Sequence, residues 1–180
     1  RMGGAISSWF SNGTATISDC NFTQTSGDGG AIILEGGKNA TIRNSKFTNT
    51  QSTEGGGAIE VTGDGSVSII NSTFKNTTSH KTDQSISSGG AISTEISSLY
   101  ISNCTFNDTT AHDGDGGAIY SWSANITVIN STFINNMASG DGGAIKGENI
   151  TVINSNFIDN DAPFGNGASI YASSLKLKDS

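Results

Sequence analysis

One tetrapeptide organises this chain. Gly-Gly-Ala-Ile occurs at Gly3–Ile6, Gly29–Ile32, Gly56–Ile59, Gly89–Ile92, Gly116–Ile119 and Gly142–Ile145, and a weakened copy stands at Gly167–Ile170. Successive copies lie 26, 27, 33, 27, 26 and 25 residues apart. Each full unit carries a second landmark, a phenylalanine: Phe22, Phe47, Phe74, Phe106, Phe133 and Phe157. A fixed period in this range is the mark of a solenoid, in which no unit buries its apolar face alone and stacked units build one continuous core.

Aligning the units on phenylalanine gives columns. Seven residues before it stand Ala15, Ala40, Val67, Leu99, Ile126 and Ile150; five before it stand Ile17, Ile42, Ile69, Ile101, Val128 and Val152. The position between them is polar in each unit: Thr16, Thr41, Ser68, Tyr100, Thr127 and Thr151. Apolar–polar–apolar is the signature of a strand with one buried face. A helix needs apolar residues three or four apart and tolerates Gly-Gly pairs poorly. A unit of about 26 residues then closes one turn with three strands and three corners. The expected fold is all-β: a right-handed, single-stranded parallel β-helix of about seven turns, occupying residues 1–180 as one repeat domain.

Two polar columns read as corners. Three residues before the phenylalanine stand Asp19, Asn44, Asn71, Asn103, Asn130 and Asn154. Asn passes amide hydrogen bonds between stacked turns and tolerates the left-handed backbone of a tight corner. Three residues after it stand Thr25, Thr50, Thr77, Thr109, Asn136 and Asn160, a second corner. The Gly-Gly pair marks the third, where positive φ or close approach needs a residue without Cβ. The chain carries ten Asn-x-Ser/Thr sequons, and Asn71, Asn103 and Asn130 among them fall in the first ladder. Burial there would keep them free of sugar; Asn12, Asn39, Asn76, Asn107, Asn125 and Asn149 look more exposed.

The pairing of Gly-Gly-Ala-Ile with Phe-x-x-Asn, as in Phe133–Ile134–Asn135–Asn136 and Phe157–Ile158–Asp159–Asn160, resembles the repeat of polymorphic outer membrane proteins. The first four units depart from it, with Thr in place of the last Asn. The run Ile129–Asn130–Ser131–Thr132–Phe133 is similar to adhesin-like repeats of methanogenic archaea. These resemblances imply a fold similar to that of the pectate lyases, display at an extracellular cell surface and adhesion to a glycan or protein of a host or neighbouring cell. They carry no chemistry by themselves.

Function classes narrow further on composition. A net charge of −7 disfavours nucleic acid, which needs a basic stripe. No apolar run is long enough to span a membrane. No secretion signal is visible, but the chain opens inside a repeat, so an anchor and further domains are expected outside it, and open solenoid ends invite end-to-end self-association. Cys20 and Cys104 share a column with Ser45, Ser72, Ser131 and Ser155, three turns apart. That is about 14 Å by strand spacing, too far for a disulfide, so both are expected as free thiols in small slots.

For chemistry the chain offers little. His80 lies in the long third unit, whose excess falls at 79–88, and His112 lies in a corner segment. Asp108 and Asp159 share a column two turns apart, with Asn135 between them. No nucleophile triad or zinc spacing appears, and the expectation is a scaffold without catalytic residues; an enzyme acting on polysaccharide, as lyase or hydrolase, is the alternative. Asp28, Asp115 and Asp141 each precede a Gly-Gly pair, with Asn166 in the related place. Asp113, Asp115 and Asp141 are the candidate ligands of a weak calcium site, the only cofactor expected, because stacked carboxylates repel unless solvated or bridged. Trp9 and Trp122 share a column with Glu35, Glu95 and Glu148, expected to face outward; Tyr120 and Tyr171 are expected in a second outward column. Such aromatics stack on sugars or on a protein partner.

Overall fold

The computed structural model describes residues 3–9, 13–36, 39–80 and 89–180. The insert expected at 79–88 lies almost wholly outside these residues, as does Asn12.

The chain coils into a parallel β-solenoid of three sheets, with twelve, six and five strands. All pairs are parallel, and partners come from successive units. The first strand of each turn starts at the isoleucine of the tetrapeptide, as in Ile32–Glu35, Ile59–Thr62 and Ile92–Glu95. The second carries the apolar–polar–apolar triplet, as in Asn39–Arg43 and Ser66–Ile70. The third is centred on phenylalanine, as in Lys46–Thr48 and Thr73–Lys75. A fourth strand of two residues, as in Gln51–Ser52 and Thr78–Ser79, leads into the next glycine corner. The count is thus four short strands per turn, not three. Six turns are complete, one fewer than expected, because the seventh supplies only the strand Ile170–Lys178 and no phenylalanine.

Register follows side-chain type. Phe22, Phe47, Phe74, Phe106, Phe133 and Phe157 stack with ring centroids 4.7–4.8 Å apart and planes within 9°. That spacing is the strand spacing itself, so backbone ladder and ring stack share one repeat. The isoleucine, valine and leucine columns fill the rest of the interior: Ile32, Ile59, Ile92, Ile119 and Ile145 have no exposed surface. Each such side chain contributes about 1.5–3 kcal/mol by leaving water.

The two polar columns exchange the roles that the sequence suggests. The column before the phenylalanine is exposed, not buried: Asn44, Asn71, Asn103 and Asn130 all face solvent. Their φ values, 50–53°, are left-handed, which Asn tolerates and which turns the chain outward. Amides still link the turns, Asn71 Nδ2 donating to Asn44 Oδ1 at 3.3 Å and Asn154 Nδ2 to Asn130 Oδ1 at 2.8 Å. Burial therefore does not withhold the sequons at Asn71, Asn103 and Asn130. The buried ladder is the column after the phenylalanine. Asn136 is fully enclosed, accepts from Thr109 Oγ1 at 2.6 Å and donates to Asn160 Oδ1 at 2.8 Å. An enclosed amide needs such partners, because an unmet one costs about 1–3 kcal/mol. The residue preceding that column, from Gln24 through Asn49, Asn76, Asp108 and Asn135 to Asp159, also has positive φ, so the second corner expected there turns through a left-handed residue one position ahead of the column.

The serine column is more than a small slot. The backbone N–H of Cys20 donates to Ser45 Oγ, that of Ser45 to Ser72 Oγ, that of Cys104 to Ser131 Oγ and that of Ser131 to Ser155 Oγ. Each of these hydroxyls donates in turn to the carbonyl two residues earlier. Cys20 and Cys104 are free thiols, as their spacing requires. Burial pushes the Cys104 thiol up to about 11, so it stays protonated and unreactive at neutral pH.

Candidate functional site

Inward columns repeat; the outward column of the first sheet does not. In register it runs Ser7, Ile33, Glu60, Ser93, Tyr120, Lys146 and Tyr171. Its middle is covered, since Ile33, Glu60 and Tyr120 are at most 5% exposed. Tyr120 thus departs from the expected outward exposure, while Tyr171 is 40% exposed. The residues ahead of the glycine corner fold back over this face: a Cβ on Gly29 would lie 2.6 Å from Glu60 Oε2.

The outward face opens at turns five and six for a covalent reason. In turn five, residues 122–124 bulge between the strands Ile119–Ser121 and Asn125–Ile129, closed by Ala124 N–H donating to Ser121 Oγ at 3.0 Å. Turn six lacks a bulge, and its first two strands fuse into Ile145–Ile153, as they do in Ile170–Lys178. The bulge lifts Trp122, 64% exposed, above the straight strands beside it. The step bounds a cleft of about 140 Å³ lined by Tyr120, Trp122, Lys146, Glu148, Tyr171 and Ser173. Trp9, 81% exposed, faces solvent at the opposite end of the same column.

Lys146 anchors the cleft. Its Nζ lies 2.5 Å from Asp115 Oδ2, 3.4 Å from Asp141 Oδ2 and 5.6 Å from the centre of the Tyr171 ring. Asp115 Oδ1 also accepts the Asp141 N–H at 2.7 Å, and Asp141 Oδ1 accepts from the Asn166 N–H at 2.8 Å and the Asn166 amide at 3.0 Å. Of the candidate calcium ligands the fold therefore brings Asp115 and Asp141 together, around the ammonium of Lys146. Asp113 is exposed and takes no part in these bonds. Lys146 places an ammonium between these two carboxylates. No group of three or more His, Cys, Asp or Glu placed to hold a metal occurs among the described residues.

Partial burial works against both charges here, and the partners outweigh it. Asn166 and Lys146 hold the Asp141 carboxyl below its usual value, and Asp115 and Asp141 raise Lys146 above its own. A lowered carboxyl pKa contributes stability above the unfolded value, about 3.9, that is lost as pH falls through the folded one. A raised lysine pKa contributes stability below about 10.4 that is lost as pH rises through the folded value. Asp141→Asn should therefore be less stable than the parent near neutrality and indistinguishable from it once Asp141 is protonated in acid. Urea midpoints across pH check this; a gap that stays constant into strong acid would refute it.

The remaining candidates separate. His80 and His112, remote in sequence, stack on adjacent turns with ring centres 4.4 Å apart and remain exposed. Asp108 Oδ1 accepts the Asn135 amide at 3.4 Å as one link of a surface corner. The cleft itself escaped the sequence reading, although a signal was present: fewer residues separate Gly142 from Phe157 than Gly116 from Phe133, which is the missing bulge.

Parallel coils in register, an inward ring stack and glycine corners define a β-solenoid. The chain belongs to the family of the right-handed beta helix region, which matches residues 4–178. No curated protein and no solved structure matches it.

Proposed function

We propose that this domain is an extracellular scaffold that displays an adhesive face at a cell surface, without turning over a substrate. One observation carries the reading: interior columns repeat turn after turn, whereas the unburied column two residues further along the first sheet runs Trp9, Glu35, Thr62 and Glu95, a different residue from each turn to the next. A uniform interior holds the coil rigid, and an individual exterior is what recognition requires. The resemblance of the Gly-Gly-Ala-Ile and Phe-x-x-Asn motifs to polymorphic outer membrane protein repeats, and to adhesin-like archaeal repeats, supports the same reading.

The rival reading, a polysaccharide lyase or hydrolase, predicts turnover. Beads coated with the folded domain are expected to bind cells or an immobilised surface glycan saturably. Incubation with acidic and neutral polysaccharides is expected to release neither reducing ends nor unsaturated products. Catalytic release of either would replace the scaffold by the enzyme.

A further inference from the structure

We infer that the cleft between the Trp122 bulge and the fused strands is a binding site for a neutral oligosaccharide; this rests on the adhesive reading and gives it a location. Three features support it. Trp122 and Tyr171, both exposed, line the cleft. Flat aromatic faces take the C–H face of a sugar ring while the ring's hydroxyls seek polar partners. Those partners are present: Lys146, Glu148 and Ser173 line the same cleft.

A second depression, of about 320 Å³, lies beside it on the same strands, lined by Asn125, Thr127, Asn149, Thr151, Ser174 and Lys176. Amides and hydroxyls dominate it, which suits further sugar units. The two depressions adjoin because Gly147–Glu148–Asn149 run through one unbroken strand.

Charge selects the class of sugar. The Lys146 ammonium is already shared by Asp115 and Asp141, and Glu148 adds a further carboxylate. Two carboxylates hold the ammonium and a third lines the cleft, so uronates and other anionic sugars are repelled. A neutral, hydroxyl-rich ligand meets no such penalty, and both kinds of charged group hydrogen-bond to hydroxyls.

The test uses fluorescence, because Trp9 and Trp122 are the two tryptophans. In a Trp9→Phe background, made in a host that adds no sugar to sequons, all indole emission comes from Trp122. Titration with neutral cello- and manno-oligosaccharides is expected to shift that emission saturably, while oligogalacturonate leaves it unchanged. By calorimetry, Trp122→Ala should weaken binding about tenfold or more. Because Trp122 is exposed, its melting curve should match the parent's. Preferential binding of oligogalacturonate, or undiminished binding by Trp122→Ala, overturns the assignment. If beads still adhere to cells while the parent protein ignores every neutral oligosaccharide, this site falls and the adhesive reading stands. If adhesion also fails, both fall.

Discussion

Replacing Gly117 with alanine is expected to prevent folding or to cost more than about 4 kcal/mol. Gly117 does not owe its identity to backbone freedom, since its φ is not positive. It owes it to space. A Cβ there would fall on the carbonyl oxygen of Gly143 in the next turn and lie 2.6 Å from the backbone N and C of Met137. These neighbours are all main chain. To yield, two turns would have to separate, breaking the Gly117 N–H bond to Gly142 O at 3.1 Å and those of Ala118 and Ile119 to Ala144 O. Gly147→Ala is the control. Its Cβ would meet Ile126 Cδ1 at 2.8 Å, the far end of a flexible side chain, and nothing else closer than 3.6 Å. That variant should stay within about 1 kcal/mol of the parent. Far-ultraviolet dichroism and urea unfolding of the pair decide the matter, and equal stability of the two variants would contradict the steric account.

Phe74→Ala should cost about 4–5 kcal/mol, the upper part of the range for a buried phenylalanine. Phe74 is fully enclosed and lies between Phe47 and Phe106, each 4.7 Å away. The hole left behind cannot close by collapse. Strands on either side are held at fixed separation by in-register ladders, Thr73 to Lys46 and to Thr105, and Lys75 to Thr48 and to Asn107. Phe157→Ala makes the comparison, because Phe157 is half-buried and stacks on a ring, that of Phe133, at one end of the column. It should cost roughly half as much. Guanidinium midpoints give the ratio; a larger loss at Phe157 than at Phe74 would show that the stack does not hold the turns together.

Much of this fold is legible in the chain because the solenoid maps sequence period directly onto spatial neighbours. Residues one unit apart become strand partners, so aligning copies on phenylalanine amounts to writing down the register: Phe47, Phe74 and Phe106 form one column in the alignment and one stack in space. The same alignment places Cys20 and Cys104 among serines and separates them by three turns. It also brings Asp115 and Asp141 onto adjacent turns.

Burial of polar columns was not legible, and the reason is local. Asn occurs both at exposed left-handed corners, as Asn71, and inside the coil, as Asn136, and composition does not tell them apart. The direction in which a corner bends does. Tyr120 shows the same limit from the other side: it sits in an outward column, yet it is buried.

What the amino-acid order determined by itself is the coil, its register and its inner columns, since these depend on periodic apolar side chains that can be buried only by stacking. Tertiary structure alone decided which polar groups face water, which cation stands beside Asp115 and Asp141, and where the exterior opens. Each of these depends on the path of the backbone between strands. Turn six is two residues shorter than turn five between tetrapeptide and phenylalanine, which fuses its first two strands and leaves Trp122 standing above them; the shortening can be counted in the chain, but what it does to the exterior cannot.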